Sequence, residues 1–193
     1  GTESGEDINT LLDKFERATE LSEAPQGDNS LGEVMTKIFE QIDSGAKINK
    51  VKTGIPIIDK CTNGIAGGEL VTIGAKSGVG KSALSIRIAI NMFKEGKKVL
   101  IVSREMSKQQ VAERILLAHS GISKEAYENR DFSDKDWIRI VETIEAFSTK
   151  DIIIDDKIST IQEIKQAVRR YKPDVLIVDY IQLLTPSNSK DSR

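Results

Sequence analysis

The sequence predicts an α/β fold: a mainly parallel β-sheet flanked by helices and preceded by an amphipathic helix. Three observations carry this expectation. Beyond Lys50, short β-branched apolar runs alternate with longer stretches whose apolar residues recur at helical spacing. A glycine-rich stretch, "GAKSGVGKSALS" at 74–85, joins one such run to one such helix. An isolated amphipathic stretch and a Pro/Gly-containing break stand before the alternating part.

Taken in order, Ile8, Leu11, Leu12, Phe15 and Ala18 give an amphipathic arm over about residues 7–22, followed by the break Ala24-Pro25-Gln26-Gly27-Asp28-Asn29. Residues 1–29 are thus expected to be a helix and flexible linker, and 30–193 an α/β domain. Ser30 and Glu33 form a capping-box pattern ahead of Leu31, Val34, Met35, Ile38, Phe39 and Ile42, and that helix should end near Ser44-Gly45. Glu69–Ile73 reads as a buried strand, and Ala83, Leu84, Ile86, Ile88, Ala89, Ile90 and Met92 as a mostly buried helix. The second strand is expected at 98–103. Ser107 and Gln110 open a helix carrying Val111, Ile115, Leu116 and Ala118. Ser133 and Asp136 open another whose Trp137, Ile138, Val141, Ile144 and Phe147 are expected in the core. Asp151–Ile154 is the third strand, 159–171 a helix, and Val175–Asp179 a fourth buried strand ending in a carboxylate.

The bulk numbers exclude several classes. With 193 residues and 21.3 kDa, the chain suits one well-cored domain plus an appendage. A net charge of −2 and a pI near 5.6 give no global attraction to polyanions, so any such binding must be local. Lys190 and Arg193 are the only cations in the tail and read as part of a solvated loop. The single cysteine, Cys61, forms no intrachain disulfide and is expected to be a partly buried filler; this usage fits a reducing, cytoplasmic setting. No apolar run reaches the length of a bilayer span and no signal sequence opens the chain, so no membrane association is expected. His119 follows Ile115-Leu116-Leu117-Ala118 and reads as a helix-end residue, not a ligand or base. The chain opens on glycine, which suggests a fragment whose natural beginning lies upstream.

The glycine-rich junction carries the chemistry. The first amides of a helix lack intrahelical partners, and glycines let further N–H groups point into the same concavity, which suits an anion. Ala75, Lys76, Ser77, Gly78, Val79, Gly80, Lys81 and Ser82 fit the P-loop pattern, with alanine in place of its first glycine. Lys81 can reach the outer phosphates of a nucleoside triphosphate and the Ser82 hydroxyl can ligate Mg²⁺. Asp179, after four apolar residues, has the Walker B pattern and can hold the same Mg²⁺ through its water shell. Glu105 follows the second strand; from the residues alone it is either a carboxylate that polarises the attacking water or an exposed turn residue.

Three stretches, "TGIPIIDKCTNGIAGGELVTIGAKSGVGKSALSIRIA", "VLIVSREMSKQQVAERIL" and "VLIVDYIQLL", together resemble the RecA-like ATPase domain of DnaB-type replicative helicases. The resemblance runs over about residues 28–193, with the leading arm in the position of that family's linker helix. It implies a RecA-like P-loop NTPase that binds ATP and Mg²⁺, with Glu105 as the catalytic carboxylate, Lys81 acting on the phosphates and Asp179 as the Mg²⁺ carboxylate. Tyr180-Ile181-Gln182 continue that last motif. It also implies single-stranded DNA as a partner, a homo-oligomer in the form of a hexameric ring joined through the linker helix, and a primase and a helicase loader as further partners. A guanine-reading Asn-Lys-x-Asp motif does not occur, which disfavours a GTPase. A RecA/RadA/KaiC-like recombination or regulatory ATPase and a nucleotide-binding assembly module without turnover are the alternatives.

The family's sensor glutamine, DNA-holding loops and arginine finger follow the Walker B strand, and the chain stops at "PSNSKDSR" before they are reached. In the fold it resembles, the next strand inserts between the Walker B strand and the P-loop strand. The expectation is therefore that another segment of polypeptide separates Leu70–Ile73 from Val175–Val178. Direct pairing of those two would mean that the family topology does not hold.

Overall fold

The computed structural model describes residues 30–45, 48–76, 78–148 and 151–179. The chain divides into two compact units, Gly1–Asn49 and Lys50–Arg193. In the first, helix α1 (Leu31–Asp43) starts where its capping residue directs: the Ser30 Oγ accepts from the Glu33 amide at 3.4 Å, and the helix stops at Ser44. The arm expected over about 7–22 lies outside the described residues.

The second unit opens with two short antiparallel strands, β1 (Lys50–Val51) and β2 (Ile65–Ala66), joined through helix α2 (Pro56–Thr62). It continues with α3 (Lys81–Lys94), β3 (Val99–Ser103), α4 (Lys108–Ser120), α5 (Lys124–Asn129), α6 (Asp134–Ala146), β4 (Ile152–Asp155), α7 (Ile161–Tyr171) and β5 (Val175–Asp179). Strands β4, β3 and β5 form a parallel sheet in that order, with Val99 opposite Ile152 on one side and Val175 on the other.

β3 is the centre of the core, and all five of its residues are buried. Alternation along the strand divides them between two faces. Val99 and Ile101 pack with Ile86, Ile90 and Met92 of α3 and with Val111 and Ile115 of α4. Leu100 and Val102 pack on the opposite face with Ile158 and with Ile164 and Ala167 of α7. Burying one such side chain is worth about 1.5–3 kcal/mol, so helices covering both faces of one short strand contribute much of what holds this unit together.

A second tie joins the segment before the sheet to α3. The Asp59 carboxylate accepts from the Thr53 amide (2.7 Å), the Thr53 hydroxyl (2.8 Å) and the Gly54 amide (2.9 Å), and Asn91 Nδ2 donates to the Thr53 carbonyl at 3.1 Å. Gly54 has φ +70°, and a Cβ there would sit 2.5 Å from Asn91 Nδ2, so only glycine permits this approach. Burial pushes the Asp59 carboxyl up, but the Thr53 and Gly54 donors and the Lys52 charge outweigh it and hold it below its usual value.

Three expectations require correction. Glu69–Ile73 is not a strand: Leu70 is 88% exposed and the segment joins no ladder among the described residues. A β-branched run becomes a strand only where another strand accepts its hydrogen bonds, and β5 pairs with β3 alone among the described residues. The direct pairing of Leu70–Ile73 with Val175–Val178 that would overturn the family topology is not found among the described residues. Trp137, Ile138, Val141 and Ile144 are exposed, not core. Helix α6 instead turns Thr143 inward, and its cap Phe147 stacks on Phe93 with ring centres 4.6 Å apart and meets His119 edge-on at 5.0 Å. Cys61 is exposed on α2, because that short helix buries none of its residues. His119 stands in the last turn of α4, as expected, with Nδ1 3.2 Å from the Thr143 hydroxyl.

Candidate nucleotide-binding site

The site forms where the carboxyl ends of β3 and β5 meet the amino end of α3, the place where open α/β sheets bind ligands. Gly78 and Gly80 bring the chain into α3 with φ of +82° and +105°, conformations that residues with a Cβ adopt at a cost. Gly80 is the N-cap, so Lys81 and Ser82 are the first residues of the helix and their amides belong to its unpaired first turn. Ala75, Lys76 and Val79 are exposed in the turn before it, with the Val79 amide donating to the Lys76 carbonyl at 3.4 Å. Ser77 lies outside the described residues.

Lys81 and Asp179, 98 positions apart in the chain, meet directly. The Lys81 Nζ is 3.1 Å from the Asp179 Oδ1, with the lysine side chain 24% exposed and the aspartate 7%. A carboxylate this buried is stable only when paired, and the first lysine of α3 supplies the pairing. Ser82, Ser103, Met106 and Asp179 line one small cavity, so the two residues read as Mg²⁺ ligands are neighbours in the fold. A hydroxyl and a carboxylate are hard oxygen donors, and Mg²⁺ is usually held by one or two such groups plus water and phosphate oxygens. No group of three or more His, Cys, Asp or Glu side chains converges among the described residues.

Glu105 arrives from the neighbouring strand. Ser103, the last residue of β3, is in register with Asp179, the last of β5, and the Arg104 amide donates to the Asp179 carbonyl at 2.7 Å. The Ser103 hydroxyl then closes a tight turn, donating to the Met106 carbonyl at 2.7 Å and accepting from the Met106 amide at 3.2 Å. Glu105 is exposed in that turn, two residues beyond the strand end that carries Asp179 beside it. The structure thus brings Lys81, Ser82 and Asp179 together and puts Glu105 at the same end of the sheet.

The sequence reading missed Ser103 as the residue that shapes the Glu105 turn, and it missed Asp156. The Lys108 amide donates to Asp156 Oδ2 at 2.8 Å and Arg104 Nη1 donates to the Asp156 carbonyl at 3.2 Å. The signal available was the position of Asp156 just after an apolar strand, the same kind of place that singled out Asp179. The Lys108 amide, above all, holds the Asp156 carboxyl below its usual value, with partial burial opposing and the charges of Lys108 and Lys157 assisting.

Residues 50–193 match the family described as DnaB-like helicase C terminal domain. The replicative DNA helicase DnaB of Geobacillus stearothermophilus is 28% identical over 204 aligned residues, covering 97% of this chain and 44% of that protein. The replicative DNA helicase DnaC of Bacillus subtilis strain 168 is 27% identical with the same coverage of both. Among solved structures, an ATPase domain superposes with a TM-score of 0.73 at 30% identity, over 86% of this chain and 62% of that one. A DnaB-like replicative helicase, studied together with its interactions with primase, superposes with a TM-score of 0.71 at 28% identity, over 96% of this chain and 46% of that one. The chain spans about half the length of the curated relatives it matches. The fold is the α/β architecture of these RecA-like helicase ATPase domains, and the chain belongs to the DnaB-like helicase C-terminal domain family.

Proposed function

We propose that this chain is the ATP-hydrolysing core of a replicative DNA helicase that couples hydrolysis to translocation on single-stranded DNA and to duplex unwinding. The observation that carries the proposal is the junction of Lys81 with Asp179 beside Ser82, on the strand end next to the one that leads to Glu105. In this reading the amides of 75–82 cradle the phosphates, with Gly78 and Gly80 setting the curvature. Lys81 would exchange Asp179 for the β- and γ-phosphates of ATP, and Asp179 and Ser82 would hold the accompanying Mg²⁺. Bound Mg²⁺ supplies charge neutralisation on the transferring phosphoryl group. Glu105 orients the attacking water and accepts its proton.

The remaining parts of the proposal are a hexameric ring joined through the amphipathic arm of about residues 7–22, single-stranded DNA as the polymer moved, a primase and a loader as partners, and a cytoplasmic location. The domain boundary is proposed at 29/30. No helix among the described residues is long and apolar enough to cross a membrane. Measuring ATP turnover of the intact protein with and without single-stranded DNA tests the reading: stimulation by the DNA supports it. Nucleotide binding without turnover under both conditions would replace it with an assembly module.

A further inference from the structure

Glu105 lies in the chain between two residues that are both tied to one distant partner. Arg104 Nη1 donates to the Asp156 carbonyl oxygen at 3.2 Å, and the Lys108 amide donates to Asp156 Oδ2 at 2.8 Å. Asp156 follows the end of β4, the strand on the far side of β3 from Asp179. The excursion 104–108 is therefore anchored to both neighbours of β3: to β5 through the Arg104 amide on the Asp179 carbonyl, and to the β4 end through Asp156. Within it, the Ser103 hydroxyl fixes the turn and Ser107 with Gln110 caps α4.

Arg104 is an expensive way to make one of these ties. Its Nε is buried and has no hydrogen-bond partner among the described residues, so the side chain forfeits stability that an apolar residue of similar length would keep. The Lys108 amide bonds the Asp156 carboxylate at 2.8 Å and holds that carboxyl below its usual value, so the bond is made to the charged form. A costly arginine just before one exposed glutamate and a backbone amide three residues after it, both held by the same aspartate, suit a positioning role better than a purely stabilising one.

We infer that Asp156, through Arg104 and the Lys108 amide, is a positioning clamp that holds the Glu105 turn in the geometry needed to direct the attacking water. The inference rests on the reading of Glu105 as the catalytic carboxylate. Asp156→Ala removes the carboxylate bond and leaves the carbonyl for Arg104, whereas Arg104→Leu removes the other tie. Asp156→Asn keeps a side-chain oxygen that can accept from the Lys108 amide.

ATP turnover, KM for ATP and affinity for a fluorescent ATP analogue are measured on the intact protein carrying each variant, with Glu105→Gln alongside. Asp156→Ala and Arg104→Leu are each expected to lower kcat by roughly ten- to a hundredfold, the scale of a misplaced catalytic group. KM and analogue affinity should stay within about twofold, and Asp156→Asn should restore kcat to within about threefold of the parent. If Glu105→Gln abolishes turnover while Asp156→Ala and Arg104→Leu turn over normally, the clamp is overturned and the reading of Glu105 stands. Normal turnover in Glu105→Gln overturns both. Parallel loss of kcat, nucleotide affinity and thermal stability in Asp156→Ala, with no rescue by Asp156→Asn, would reduce these contacts to scaffolding and also overturn the clamp.

Discussion

Val99–Ser103 and Glu69–Ile73 have the same texture in the sequence, five residues each, apolar and rich in β-branched side chains, yet they reach opposite fates. All of Val99–Ser103 is buried, with β4 on one side and β5 on the other. In Glu69–Ile73, Leu70 is exposed, Val71 is exposed, and no ladder forms among the described residues. Composition sets what a strand can be made of; the neighbour that accepts its N–H and C=O groups decides whether it forms. The contrast runs through the site itself. Asp179 ends one paired strand and Glu105 follows the end of its neighbour, whereas Lys81 and Ser82 stand beyond the unpaired run, and the Lys81–Asp179 ion pair joins the two halves.

Equal truncations in the two runs should separate them most sharply. Leu100→Ala, at a side chain with 0% exposure, should cost about 2–5 kcal/mol of unfolding free energy. Leu70→Ala, at 88% exposure, should stay within about 0.5 kcal/mol. Urea denaturation of the 193-residue chain reads both. Equal losses would mean that Leu70 is buried by a partner in solution, and the contrast between the runs would collapse.

Helix α6 extends the same contrast to helices and predicts a more modest change. Trp137 is 54% exposed and its ring meets Phe132 edge-on at 5.2 Å, so Trp137→Ala should cost about 1 kcal/mol, the scale of one aromatic pair, and not the roughly 3–5 kcal/mol of a core aromatic. A core-sized loss in the same denaturation experiment would restore Trp137 to the interior.

A slighter change is expected with pH. Burial, with the charges of Lys94 and Arg87, holds the His119 imidazole below its usual pKa. The unfolded chain therefore binds this proton more readily than the folded one, so the contribution is favourable above about pH 6.5 and is lost as pH falls through that value toward the lower folded pKa. The urea midpoint should fall between about pH 7.5 and pH 5.5, and His119→Gln should flatten that change. An unchanged slope in the variant would assign the dependence to other groups. The depressed carboxylates of Asp59, Asp136, Asp156 and Glu163 act in the same direction, but their range lies lower, from about pH 4.5 downward, as they protonate.

Local signals made much of this molecule legible. Ser107–Gln110 and Ser133–Asp136 form the reciprocal caps their spacing suggests, and β3, β4 and β5 lie where apolar runs predict strands. Gly78, Gly80, Lys81 and Ser82 could be picked out as a candidate site because the backbone and charge pattern proposed for phosphate binding is written over a few consecutive residues, and Asp179 because it ends an apolar run. What depended on distant parts of the chain was not legible. The exposure of Leu70 depends on which strand edge reaches it. Which side of α6 faces inward depends on Phe93 and His119, and its wide apolar stripe does not reveal that choice. The tie from Asp156 to Arg104 and Lys108 spans 52 and 48 positions and involves a backbone carbonyl, which leaves no residue-type signature.

Everything proposed for the site depends on Lys81, joined to Asp179 in the structure, being the cation that receives the phosphates of ATP. Calorimetric titration of Mg·ATP into Lys81→Ala, beside the parent protein, puts that role to the test. Removing a buried charge-assisted contact should weaken binding by about 2–4 kcal/mol, or roughly 30- to 900-fold in affinity, while the loop amides remain in place. An affinity equal to that of the parent would contradict this role for Lys81 and remove the P-loop from the site.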